Sequence, residues 1–150
     1  MKIVRAKKED VAELVSFIYS FYKKTMWAEK DFTYDPEYVT ELFLALVDSG
    51  IVQVAKDEGK IVGCIVVIVS PIPFSLAYKT AVELVFYVNP AYQGQGTGTR
   101  LLKQAENVAK QQGVKLFSMV HLEGVDPDKP ESLYKSFGYE KSETIFTKEL

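Results

Sequence analysis

The sequence predicts an α/β fold built on a mixed sheet, and three observations carry that expectation. Runs rich in β-branched residues occupy positions 51–55, 61–69 and 81–88. Stripes of apolar residues at helical spacing flank them on both sides. Between positions 81 and 122 the order is strand, glycine-rich turn, helix, strand, and a crossover helix between two strands implies at least one parallel pair.

Taken in order, Lys2 to Ala6 alternates weakly and reads as an edge strand. Val11, Leu14, Val15, Ile18 and Tyr22 then recur at helical spacing. A connection over 25–34 leads to a second helix, with Asp35 as cap, Pro36 at its first position and a stripe of Val39, Leu42, Phe43, Leu46 and Val47 that Asp48-Ser49-Gly50 ends. The runs at 51–55 and 61–69 are joined by Asp57-Glu58-Gly59-Lys60, which predicts an antiparallel hairpin stopped by Pro71 and Pro73. The strand at 81–88 ends at Asn89-Pro90, and after the glycines Leu101, Leu102, Ala105, Val108 and Ala109 line a helix that stops near Gly113. A fifth strand is expected at 115–122, an acidic loop at 123–130, a short helix carrying Leu133, Tyr134 and Phe137, and a last strand near 143–148. No repeat or linker interrupts this order, so residues 1–150 are expected to form a single domain.

Composition narrows the function. The chain has 150 residues, 47% of them hydrophobic and 25% charged, the make-up of a globular domain. A domain of that length hides roughly 68–70% of the surface its unfolded chain exposes and needs no staples. The single Cys64 lies in an apolar run and reads as core. The charged start of the chain predicts no secretory signal, and no apolar run approaches the ~20 residues of a membrane span, so a cytoplasmic protein is expected. With a net charge of −2 there is no cationic excess to hold nucleic acid. No cluster of Cys and His is present to bind zinc, and His121, the only histidine, reads as structural.

The chemistry concentrates in Gln93-Gly94-Gln95-Gly96-Thr97-Gly98-Thr99, where a strand feeds a glycine-rich turn that opens a helix. The first turn of a helix leaves backbone N–H groups unpaired and places about half a positive charge there, which suits phosphate. Glycines at 94, 96 and 98 permit φ > 0 and close approach of a ligand. A plain strand-to-helix turn would need one or two glycines. A Walker A loop requires Gly-Lys, absent here, and the dinucleotide fingerprint requires Gly where Thr99 stands.

These residues resemble the GNAT acetyltransferases, whose signature is Arg or Gln, two residues, Gly, one residue, then Gly or Ala. Leu84 to Pro90 is similar to the family's fourth strand, Leu133-Tyr134-Lys135-Ser136-Phe137-Gly138-Tyr139 to its Tyr-x-x-x-Gly-aromatic helix end, and the order of elements agrees along nearly the whole chain. The resemblance implies the acyl-CoA N-acyltransferase fold and an acetyltransferase that moves the acetyl group of acetyl-CoA directly to an amine. It implies that the fourth and fifth strands splay, that the pantetheine arm pairs with the backbone of Phe86, Tyr87 and Val88, and that the pyrophosphate rests on Gln93, Gly94, Gln95, Gly96, Thr97, Gly98 and Thr99. Glu83 is the candidate base, the alternatives being a water chain as base and a solvated strand-end carboxylate. Tyr134 is the candidate acid for the departing thiolate, its bland alternative a core aromatic. No metal is called for. The resemblance further points to Phe21, Tyr22, Trp27 and Tyr34 as walls of the acceptor site and to Glu29, Asp31, Asp126 and Asp128 as attractors of a cationic amine. A homodimer is among the assemblies it implies. A coenzyme A-binding sensor without turnover is the competing function class.

Overall fold

In the computed structural model, residues 1–122 and 129–150 are described, and the chain divides into two compact units, 1–120 and 121–150. The first unit holds a five-stranded sheet in the order β1-β2-β3-β4-β5. Its strands are β1 (Lys2–Arg5), β2 (Ile51–Asp57), β3 (Lys60–Ile72), β4 (Ser75–Val88) and β5 (Val114–Ser118). The first three pairings are antiparallel and β4–β5 is parallel, the outcome expected of a crossover helix between β4 and β5. The helices are α1 (Val11–Tyr22), the one-turn α2 (Met26–Glu29), α3 (Pro36–Ser49), α4 (Thr97–Gln111) and, in the second unit, α5 (Lys129–Ser136).

Each helix starts and ends for a local reason. Asp35 caps α3 through Oδ1, which accepts from the N–H groups of Glu37 and Tyr38 at 3.1 Å, with Pro36 at the first position. Gly113 follows α4 at φ +76°, a conformation that costs glycine little. Between α1 and α3 the sequence shows no apolar period, so the short α2 went unread.

Strand alternation divides the sheet into two faces. Val52, Val54, Cys64, Val66, Val85 and Tyr87 join the core formed with Leu14, Val15 and Ile18 of α1 and Phe43, Leu46 and Val47 of α3. The opposite face receives α4, whose Leu101, Leu102, Ala105 and Ala109 are buried. There Gly63 lies so close to α4 that an added Cβ would sit 3.1 Å from Leu101 Cδ1. Cys64 is fully buried in the core, and that burial pushes its thiol up from the ordinary range.

Three expected boundaries moved. Pro71 does not end β3, because it lies at a register irregularity between Pro71 and Ile72 where a missing N–H is tolerated. β4 accordingly begins at Ser75 rather than 81, and β5 stops at Ser118 rather than 122. The strand expected at 143–148 does not form: residues 139–150 have no regular structure, and Ile145 and Phe146 are almost fully exposed. Alternation makes a strand only where a neighbour supplies hydrogen bonds and one face is covered.

Candidate active site

β4 and β5 part company early. Their parallel pairing covers Lys79 to Val82 and ends at Val82 opposite Ser118, whereas β4 continues to Val88, held on its other side by β3 as far as Gly63. Along Glu83 to Val88 the second edge of β4 meets no strand among the described residues. A register shift at the start of this stretch, where Val66 pairs with Val85 but Val67 with Glu83, marks a bulge at Leu84, a device that bends a strand and re-aims its side chains. The pairing ends where the resemblance implies that the two strands splay.

Glu83 stands where the pairing stops. It is only 7% exposed, and its Oε2 accepts from the backbone N–H of Val120 at 3.0 Å. Burial pushes its carboxyl up to about 7, partly offset by that hydrogen bond. A glutamate at that value holds a proton roughly 300-fold more tightly than one at its ordinary 4.5 and is half ionised at neutral pH. The solvated strand-end reading of Glu83 is therefore wrong for this fold, because the side chain is removed from water.

Beyond Val88 the chain makes a short 3₁₀ turn, Pro90–Tyr92, started by Asn89, whose Oδ1 accepts from the Ala91 N–H at 3.0 Å. Tyr92 Oη donates to Asp57 at 3.1 Å and anchors the turn to the end of β2. Gly94 and Gly96 both adopt positive φ, +75° and +76°, and an added Cβ at either would meet nothing within 4 Å. These two glycines are thus required by backbone conformation, and the space beside them is open for a ligand. Gly98 differs from the expectation. It is helical, and its lack of Cβ serves packing, since that atom would lie 3.3 Å from Phe86 Cζ.

Gly96 is the cap residue of α4, and the first i to i−4 bond runs from Arg100 N–H to the Gly96 carbonyl at 3.0 Å. The N–H groups of Thr97, Gly98 and Thr99 precede that bond and have no helical acceptor. The Gln93 side chain acts within the protein, its Nε2 donating to the Val88 carbonyl at 2.9 Å and tying the turn to the strand. Arg100, missed in the sequence, is an exposed cation in the first turn of α4, its Nε 3.4 Å from the Gly96 carbonyl. The helix dipole disfavours a cation there unless an anion shares the site, and that is the signal by which it could have been found.

Tyr87 faces the other way. Its ring packs on Phe17 at 5.2 Å and Phe21 at 5.7 Å, with Lys24 Nζ 5.3 Å above it. The expected acceptor walls divide in role. Tyr34 donates to the Val15 carbonyl at 2.8 Å, and burial pushes its hydroxyl up to about 12. Tyr22 donates to the Phe32 carbonyl. Trp27 is half exposed and stacks on Phe32 at 6.0 Å, and Glu29 and Asp31 are exposed beside them in sequence. Asp126 and Asp128 lie outside the described residues. In the second unit Tyr134 is buried on α5, its ring 5.9 Å from that of Tyr139. Among the described residues no three His, Cys, Asp or Glu side chains are placed to hold a metal, and no helix is long and apolar enough to cross a membrane.

A β4 edge left unpaired beyond Val82, a buried carboxyl of raised pKa at its start and a glycine turn with open space beside its backbone thus follow one another along residues 83–98. The family model "Acetyltransferase (GNAT) domain" matches residues 48–141, and the chain belongs to that family as an acetyl-CoA-dependent acetyltransferase. No curated protein matches the sequence. Among solved structures it is similar to a predicted acetyltransferase with acetyl-CoA from Clostridium acetobutylicum, at 16% identity and TM-score 0.76, covering 99% of this chain and 95% of that one. It is also similar to an aminoglycoside acetyltransferase from an uncultured soil metagenomic sample, at 15% identity and TM-score 0.75, covering 99% and 97%. The ribosomal-protein-alanine N-acetyltransferase of Brucella melitensis biovar Abortus 2308 matches at 14% identity and TM-score 0.74 over 100% of both chains.

Proposed function

We propose that residues 1–150 act as one domain that acetylates a primary amine by direct transfer, with Glu83 as the base. The observation that carries this is the buried carboxyl of Glu83, pushed up to about 7 at the point where β4 loses its neighbour. An ammonium acceptor with pKa near 10.4 must lose a proton before it can attack, and a carboxylate with raised proton affinity takes that proton far better than an ordinary one. Bound acetyl-CoA supplies an activated thioester. The N–H groups of Thr97, Gly98 and Thr99, with Arg100 beside them, hold its phosphates, and the open edge of Phe86 to Val88 holds the pantetheine arm. Glu83 first takes a proton from the ammonium and passes it to solvent; as the neutral amine nitrogen bonds to the carbonyl carbon and the C–S bond breaks, Glu83 receives the nitrogen's second proton and Tyr134 gives its hydroxyl proton to the departing sulfur. Tyr134 recovers a proton from solvent.

That the family model runs from 48 to 141, and so takes in residues of both units, supports treating the chain as one domain. The exposed Trp27, Glu29 and Asp31 support an acceptor that is a cation at neutral pH. The setting is cytoplasmic, no metal takes part, and the working assembly is a homodimer. Release of free thiol from acetyl-CoA against a panel of amines tests the reading. Amine-dependent release is expected; affinity for acetyl-CoA with no release from any amine would make the protein a sensor instead.

A further inference from the structure

We propose that Asp57, at the end of β2, is a positioning residue that acts through Tyr92 and Met1 to hold the glycine turn ready for the coenzyme A phosphates. The inference rests on the reading of that turn as the phosphate site. Gly94 and Gly96 have the freest backbones a chain can use, so a turn carrying both keeps its shape only if it is fixed from outside. On one side the Gln93 amide ties it to β4 at Val88. On the other, the supports converge on Asp57.

Asp57 is itself fixed by its hairpin. It pairs with Lys60 across Glu58-Gly59, whose φ values of +48° and +84° suit a type I′ turn, the connection whose twist matches its strands. Asp57 Oδ2 accepts from Tyr92 Oη at 3.1 Å and so holds the chain two residues before Gly94. Asp57 Oδ1 lies 3.1 Å from the Met1 ammonium, and the register that sets Lys2 opposite Lys56 keeps Met1 beside it. The Met1 side chain then reaches the far end of the turn, its Sδ 3.5 Å from Thr97 Oγ1 and 3.9 Å from Arg100 Nη2. Thr97 is the buried first residue of α4. Both positive-φ glycines therefore lie between two arms that start from one carboxylate. A loop that must be ordered when its ligand arrives binds more weakly by the cost of that ordering, and a loop braced beforehand has met the cost on folding. Because β3 stands between β2 and β4, Asp57 does not border the open edge where transfer is proposed. Its removal should move affinity for acetyl-CoA and leave the chemical step alone.

The test is calorimetric titration of the full chain with acetyl-CoA, paired with steady-state transfer to the best amine of the panel. The variants are Tyr92→Phe, Asp57→Ala, Asp57→Asn and the first two combined, with folding checked by far-UV circular dichroism. Tyr92→Phe loses one hydroxyl from a half-buried ring, so it serves if Asp57→Ala does not fold. Tyr92→Phe and Asp57→Ala should each weaken acetyl-CoA binding about 10-fold, the order set by a hydrogen bond to a charged group. The KM for acetyl-CoA should rise likewise, while kcat and the KM for the amine change less than about 2-fold. Asp57→Asn keeps an oxygen for Tyr92 Oη and should recover most of the affinity, and Tyr92→Phe should add nothing to Asp57→Ala. Asp48→Ala, which breaks the 2.8 Å ion pair with Lys8 at the end of α3, should leave affinity intact. A parent that binds while Tyr92→Phe and Asp57→Ala bind as tightly, a loss of kcat in place of affinity, or equal weakening by Asp48→Ala overturns this proposal and leaves the phosphate site standing. A parent with no affinity for acetyl-CoA overturns both.

Discussion

Replacing Glu83 with Gln should make the protein more stable at alkaline pH while removing its activity. Burial lifts the carboxyl from 4.5 to about 7, so the folded state keeps a proton that the unfolded chain has already released. A group with a raised folded pKa contributes stability that is fully present below 4.5 and lost as pH rises through about 7. At about 1.4 kcal/mol for each tenfold change in proton affinity, ionising Glu83 in place costs roughly 3 kcal/mol by pH 8.5. Gln keeps an oxygen to accept the Val120 N–H and has nothing to ionise. Denaturant unfolding at pH 5 and pH 8.5 should show near-equal stability at the lower value and an advantage of up to ~3 kcal/mol for Glu83→Gln at the higher. The carboxylates held low, Asp10 beside Lys56, Asp57 beside the Met1 ammonium and Tyr92, and Glu131 beside Lys135, titrate below this window. The same substitution should lower kcat/KM by about 10²–10⁴, and in the parent kcat/KM should rise with pH and level off above about 7. A stability gap equal at both pH values would refute the buried ionisation. A variant retaining full kcat/KM would refute the base.

Gly96→Val should weaken acetyl-CoA binding by at least about 10-fold in calorimetric titration, because a β-branched residue resists φ +76° and its methyls would fill the open space beside the turn. Tyr134→Phe should lower the single-turnover rate by about 10² with acetyl-CoA affinity nearly unchanged, and loss of affinity instead would make the residue a support for the thioester. If the acceptor is a cation, its apparent KM should rise as salt is raised past the level where the Debye length falls to about 8 Å, and a KM indifferent to salt would favour a neutral amine.

How much of this was legible in the sequence depended on whether a feature is local. The cap at Asp35, the positive φ of Gly94 and Gly96 and the core stripes of α1, α3 and α4 are set by nearest neighbours, and the residue order announces them. Features fixed by tertiary pairing were not readable. Nothing in Pro71 says that a register irregularity will excuse its missing N–H, and nothing in Glu83 says that Val120 will cover it. The alternation at 143–148 is equally compatible with a strand and with the exposed segment seen. Gly98 shows the two cases overlapping. It was read as a glycine that permits φ > 0, whereas in the structure it is helical and packs against Phe86, twelve residues earlier in the chain.

That contact, together with the Gln93 amide on the Val88 carbonyl, has a consequence for handling a long, floppy molecule. Coenzyme A has many rotatable bonds, and its two ends would meet separate parts of the protein, the glycine turn and the open edge of β4. Because Gly98 packs against Phe86 and the Gln93 amide donates to the Val88 carbonyl, the glycine turn and the open edge of β4 are tied to each other. Ordering on binding then falls almost wholly on the ligand. A chain acting on this thioester would therefore discriminate by length, since an acyl donor with a shorter or longer arm cannot satisfy both places at once.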